Sequence, residues 1–166
     1  AGEVDFLKAL TTPIVITPHP KEFSNLTGVK INSVLKNPIG EATDLADATG
    51  VTIVLKGAPT IVAIPGKEAF VNPSGNAGMA TAGAGDVLAG LVASLIGQGL
   101  EISLAAILGV YMHGLAGDIA SETIGQAGLV AGDIVDALPM AEQMIRKGKD
   151  QNRYIWFHPE NTSQQN

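Results

Sequence analysis

Between Asn72 and Gly90 the chain reads Asn-Pro-Ser-Gly-Asn-Ala-Gly-Met-Ala-Thr-Ala-Gly-Ala-Gly-Asp-Val-Leu-Ala-Gly. The first half of this run is too rich in glycine and small residues to pack as a helix or a strand. From Asp86 the pattern changes, and Val87, Leu88, Leu91, Val92, Leu95 and Ile96 fall at helical spacing. The spacing predicts a glycine loop feeding a helix that starts near Gly85 or Asp86. Gly83 and Gly85 can adopt backbone angles closed to other residues. Successive N–H groups can then turn inward at a helix N-terminus, where they meet an anion. Asp86 is held in the first helical turn beside that anion. Neither of the better-known phosphate loops fits. No Gly-Lys-Ser or Gly-Lys-Thr occurs, and the third glycine of a dinucleotide fingerprint would fall on Leu88. An isolated Gly-x-Gly-Asp would be explained by a capped helix start. Five glycines from Gly75 to Gly90, in one run with an aspartate, favour the anion cradle.

Composition limits what that anion can be. The chain has 166 residues, which fits one domain, and is 46% hydrophobic, enough for a real core. Its formal net charge is −6 with no offsetting basic run, which argues against a general binder of nucleic acid or anionic membranes. A phosphate site must therefore be local, made of backbone amides and one or two lysines. The absence of cysteine excludes disulfides and thiolate metal sites. The apolar stretches are broken by Gly, His or Asp, so a soluble cytoplasmic protein is expected, with no signal peptide or membrane span.

In chain order, residues 1–10 read as the end of a helix, and Ile14, Val15 and Ile16 as a short buried strand. Thr17-Pro18-His19-Pro20-Lys21-Glu22 follows, held extended by its two prolines. Open α/β sheets present ligand groups at such strand ends. His19 reads equally as a ligand group or a solvated loop histidine. Phe23 and Leu26 begin a short helix that Gly28 ends. A second helix is expected over 33–49, with Pro38 as a break or as the true first turn, and Gly50 as its cap. Strands are expected over 51–55, 60–64 and 69–72, the last two joined at Pro65-Gly66. Lys56, at the end of the second of the chain's strands, is either a surface lysine or a phosphate contact at the His19 edge. After the glycine loop come helices over 86–96, 102–124 and 132–147, with a kink expected in the last near Pro139. His113 reads as a hydrogen-bonded core or interface residue. Residues 150–166 form a polar tail beyond a domain of residues 1–149. The aromatics of 154–157 are expected to pack on a neighbouring surface. This order is α/β with sheet and helix layers. Its three or four strands leave a sheet edge that something outside this chain should cover.

Three motifs carry a family resemblance: Thr17-Pro18-His19-Pro20-Lys21-Glu22, Leu55-Lys56-Gly57-Ala58-Pro59-Thr60, and the run from Gly75 through Gly83-Ala84-Gly85-Asp86 to Gly90. The chain resembles the ribokinase-like superfamily and, within it, the NAD(P)H-hydrate dehydratases of metabolite repair. The resemblance covers residues 12–144 and corresponds to the C-terminal part of a layered α/β/α fold. It implies a homo-oligomer, or pairing with a chain that supplies the N-terminal half. The implied reaction is dehydration of the hydrate of NADH or NADPH, with ADP converted to AMP and phosphate in bacterial members and ATP used by eukaryotic ones. It makes His19 and Asp86 contacts to the hydrate, and Asp86 the group that orients or deprotonates the attacking hydroxyl. Lys56, Gly57, Ala58, Pro59 and Thr60, with Gly85, become contacts to the adenine nucleotide. The amides of Gly83, Ala84 and Gly85 would form the anion hole, with Mg²⁺ bridging the phosphates. Two other readings compete. A small-molecule kinase for a vitamin precursor shares Gly-x-Gly-Asp, but lacks a reason for Pro-His-Pro-Lys-Glu and Lys-Gly-Ala-Pro-Thr. A non-catalytic nucleotide-binding fragment has no need of Asp86.

Overall fold

A computed structural model describes residues 2–148. The aromatic-containing segment 154–157 lies outside the described residues. The elements are α1 (Gly2–Lys8), β1 (Val15–Ile16), α2 (Pro20–Thr27), α3 (Ile31–Lys36), α4 (Pro38–Thr49), β2 (Thr52–Leu55), β3 (Ile61–Ala63), β4 (Phe70–Val71), α5 (Ala84–Gly97), α6 (Ile102–Ile124) and α7 (Ala131–Arg146). Short 3-10 turns occupy Ala77–Met79 and Gln126–Gly128.

Several boundaries differ from the pattern-based expectation, each for a local reason. The helix expected over 33–49 is two helices. Asn37 ends α3, and its side chain accepts the Gly40 N–H at 3.2 Å, capping α4 with Pro38 in its first turn. The helix expected from Phe23 begins at Pro20 instead, because His19 caps it. The glycine-loop helix starts at Ala84, with Gly83 at φ 86° as its N-cap. Gly28 and Gly50 close their helices in the left-handed conformation, as expected. Helix α7 runs on through Pro139.

The four strands lie in the order β1-β2-β3-β4. Strands β1 and β2 are parallel, with Val15 opposite Thr52, while β2-β3 and β3-β4 are antiparallel. Side chains alternate across a strand, and here the alternation separates two cores. Ile53, Leu55 and Ile61 face Phe23, Val34 and Leu45 on one side. Val54 and Val62 face Leu88, Val92, Ala106 and Val110 on the other. The sheet is thus sandwiched between α1–α4 and α5–α6. A third cluster, with Leu95, Leu115 and Ile134, joins α5, α6 and α7. Each fully buried aliphatic contributes about 1.5–3 kcal/mol by leaving water.

Helix α6 corrects one expectation. Despite its Gly, His and Asp it is long and apolar enough to cross a membrane, with a mean hydropathy of 1.5 over its most apolar window. Sixty-one per cent of that window is buried inside the protein, and α6 packs on α5, α7 and the sheet as their common core helix. Close approach is built into it. A Cβ on Gly109 would lie 2.6 Å from Val92 Cγ2 of α5.

Candidate nucleotide site

The sheet side of the site grows from the parallel pair. Beyond the ends of β1 and β2, the Lys56 N–H still donates to the Pro18 carbonyl at 2.8 Å. That bond sets His19 and Lys56 side by side at one sheet edge. His19 and Glu22 form a capping box: the His19 N–H donates to Glu22 Oε2 at 2.7 Å, and the Glu22 N–H donates to His19 Nδ1 at 3.0 Å. The same carboxylate lies 3.5 Å from Lys56 Nζ and 3.4 Å from His19 Nε2. The bond from the His19 amide, reinforced by the Lys56 charge, outweighs burial and holds the Glu22 carboxyl below the usual carboxylate range. Lys56 then reaches across to the glycine turn, where a Cβ on Gly85 would lie 3.3 Å from its Nζ. Thr60 folds the intervening loop, its hydroxyl donating to the Gly57 carbonyl at 3.2 Å.

The turn into α5 offers amides unevenly. The Ala84 N–H donates to the Thr81 carbonyl at 3.3 Å, and those of Asp86 and Val87 both reach the Gly83 carbonyl at 3.0 Å. Among the described residues, Gly83 and Gly85 have no backbone acceptor. Of the three amides expected to face an anion, that of Ala84 is thus engaged within the loop.

The opposite wall is residues 72–81, and α6 holds it. Ser74 Oγ donates to the Tyr111 carbonyl at 2.9 Å. The Gly75 N–H donates to Asp118 Oδ2 at 2.9 Å, and Asn76 Nδ2 to Asp118 Oδ1 at 3.0 Å. Two glycines of α6 make room for it. A Cβ on Gly114 would collide with Ser74 Oγ and sit 2.8 Å from the Ser74 carbonyl carbon. One on Gly117 would collide with Met79 Sδ.

Between these walls lies a cavity of about 910 Å³. His19, Lys56, Gly57, Ala58, Pro59, Thr60 and Gly85 all line it, with most of 72–81, Ala84, Leu88, His113 and Gly114. The structure thus brings together His19, Lys56 and the glycine turn. Gly83 and Asp86 are not among the lining residues; Asp86 is exposed beside the cavity on the first turn of α5. His113 is the buried, hydrogen-bonded histidine that was expected, with one difference at the cavity. It is 8% exposed, it lines the cavity, and its Nε2 has no hydrogen-bond partner among the described residues. Burial pushes its pKa below the ordinary histidine range, against a backbone hydrogen bond to Ala84. No cluster of three His, Asp or Glu able to hold a metal occurs among the described residues.

Sequence reasoning missed Glu22 as the link between His19 and Lys56, although the His-x-x-Glu spacing of a capping box was legible. It also missed the contribution of α6 to the far wall, for which a single sequence carries no signal.

Comparison with known proteins bears on this arrangement. Residues 3–140 match the family model described as NAD(P)H-hydrate dehydratase. The chain is 44% identical over 143 residues to the bifunctional NAD(P)H-hydrate repair enzyme Nnr of Thermofilum pendens, covering 86% of this chain and 27% of that protein. Its fold is similar to the ADP/ATP-dependent NAD(P)H-hydrate dehydratase of Bacillus subtilis co-crystallised with ATP and Mg²⁺. That likeness has a TM-score of 0.76 at 32% identity, over 79% of this chain and 47% of the other. A ribokinase-like superfamily protein of Enterococcus faecalis is also similar, with a TM-score of 0.69 at 32% identity over 84% of this chain and 48% of the other. The layered sheet is therefore ribokinase-like, and the chain spans between about a quarter and a half of the length of these relatives.

Proposed function

Because this chain belongs to the NAD(P)H-hydrate dehydratase family, we propose that it carries the nucleotide site and the general base of an enzyme that restores NADH or NADPH from its hydrate. ADP, or ATP, supplies the phosphoryl group, and with ADP the products are AMP and phosphate. The observation that supports this best is the single cavity joining residues 56–60, His19 and Gly85 at a helix N-terminus.

In this reading the adenine nucleotide lies in the cavity, with Lys56 Nζ beside Gly85 neutralising its phosphates. Its terminal phosphoryl sits at the α5 N-terminus, where the Gly83 and Gly85 amides and the helix dipole stabilise the charge that spreads over its oxygens. The hydrate approaches from the exposed side of the turn, held by His19, and its hydroxyl gives its proton to Asp86 as the O–P bond forms. The bond to the nucleotide's leaving oxygen breaks in the same step. Phosphate then leaves with its C–O bond electrons, and loss of the neighbouring proton restores the nicotinamide double bond. A magnesium ion would be held here chiefly by the phosphates, since the described residues provide no group of three or more His, Asp or Glu to hold one. The outer edge of β1 has no partner strand among the described residues. A second copy or another chain pairing there would complete the hydrate side.

The test is recovery of NADH absorbance from its hydrate in the presence of ADP, for the wild type and Asp86→Asn. Asp86→Asn should lower turnover by roughly 10²–10⁴-fold, the usual range for a general base, and leave ADP affinity in place. Turnover near the wild-type rate would remove Asp86 from the chemistry. Phosphorylation of an added vitamin precursor without NADH recovery would favour the kinase reading.

A further inference from the structure

The helix-side wall of the cavity has almost no regular structure of its own. Apart from the 3-10 turn Ala77–Met79, residues 72–81 are loop, and Gly75 sits at φ 101°. Such a segment is costly to order, because glycine loses the most conformational freedom. Its order comes from one stripe of α6. Tyr111, Gly114, Asp118 and Ser121 recur at three- and four-residue spacing, so they share a helix face. All four meet the wall.

Within that stripe only Asp118 brings a charge. Both carboxylate oxygens are used, Oδ2 by the Gly75 N–H and Oδ1 by Asn76 Nδ2. Bonds to an ionised acceptor are the stronger kind. The effect passes along the wall, because Asn76 Oδ1 in turn accepts the Gly78 N–H at 3.0 Å and caps the 3-10 turn. That turn sets where Met79, Ala80 and Thr81 line the cavity. Asp118 itself is not a lining residue.

We infer that Asp118 is a positioning residue for nucleotide binding: from behind the wall, it fixes the loop against which the nucleotide lies. This rests on the nucleotide reading of the cavity given above. It deepens that reading by assigning part of the nucleotide affinity to a residue that never touches the ligand.

Three variants test it, with ADP binding read by calorimetry and amide hydrogen exchange of residues 72–81 read without ligand. Asp118→Ala should weaken ADP binding roughly tenfold or more, as expected for losing bonds to a charged acceptor. It should also speed exchange at Gly75 and Gly78 while leaving β2 and α4 protected. Asp118→Asn keeps one acceptor oxygen and should fall between Asp118→Ala and the wild type. A merely structural role would lower the melting temperature and leave ADP affinity unchanged in the folded protein, and that result overturns the proposal. Should Asp118→Ala fail to fold, Asn76→Ala decides. It spares the Gly75 bond, and unchanged ADP affinity in it is equally fatal. A wild-type protein that binds no ADP would sink the nucleotide reading and this proposal's functional half. The clamp on the loop would still stand or fall on the exchange rates alone.

Discussion

The two walls of the cavity are held by different kinds of contact. On the sheet side, His19 and Glu22 bond each other across three residues, and the lysine beside them is joined through a half-exposed carboxylate. On the helix side, the bonds that fix Ser74, Gly75 and Asn76 span 37, 43 and 42 residues and end on the core helix α6. In the first wall the capping box is made by the chain folding back on itself at once, and Lys56 is brought beside it by the pairing of β1 with β2. The second exists only after α6 has packed. Local, solvated contacts can give way one at a time, because water replaces what is lost. Contacts anchored in a close-packed core cannot, because neighbouring groups have nowhere to move.

The most severe break in this contrast should come from Gly114→Ala. Its Cβ would overlap Ser74 Oγ and crowd the Ser74 backbone. Forcing in one methyl group of this kind costs about 1–3 kcal/mol, partly offset by the ~1 kcal/mol by which alanine favours a helix over glycine. Denaturant unfolding should show lower stability, and ADP binding should weaken with it. A neutral Gly114→Ala would mean that the helix-side wall yields as easily as the other.

A middle-sized effect should come from His113, which lies where α6 meets the cavity. Its folded-state pKa is depressed by burial, so the unfolded chain takes up the proton first as pH falls. The contribution to stability is fully present above the ordinary histidine value of 6.5 and is lost as pH falls from there through the folded-state pKa. His113→Gln should flatten the stability profile across that window. Urea midpoints that keep the same pH dependence in His113→Gln would place the responsible group elsewhere.

The smallest effect belongs to the sheet side. Glu22→Gln preserves the capping box, since glutamine serves there as well as glutamate. It removes only exposed ion pairs, worth about 0.2–1 kcal/mol. A thermal melt within a degree or two of the wild type is expected. A loss as large as that of Gly114→Ala would erase the distinction between the walls.

The same contrast explains what could be read from the sequence. Strands at Val15–Ile16 and Thr52–Leu55, the caps at Gly28 and Gly50, and the helix after the glycine loop follow from neighbours and periodicity, and so does the placing of His19 and Lys56 at strand ends. The sheet-side wall was therefore largely legible. The break at Asn37 was only half visible, because Pro38 suits both a kink and a first turn. The partnership of Asp118 with Gly75 and Asn76 could not be read at all, since nothing near Asp118 in the chain signals a loop more than forty residues earlier. The burial of His113 was legible, but its place on the cavity wall was not. Its unpartnered nitrogen results from where α6 lies against the start of α5, which no local pattern encodes.

The capping box has a consequence for the chemistry of His19. A ring nitrogen that accepts a backbone N–H cannot itself carry a proton, so in the neutral ring the hydrogen must sit on Nε2. The ring therefore offers a hydrogen to the site and no lone pair. An oxygen of a ligand must win that hydrogen from Glu22 Oε1, 3.4 Å away. In this arrangement His19 is thus wired as a one-way contact, able to recognise an acceptor and with no lone pair turned to the site to take a proton from it.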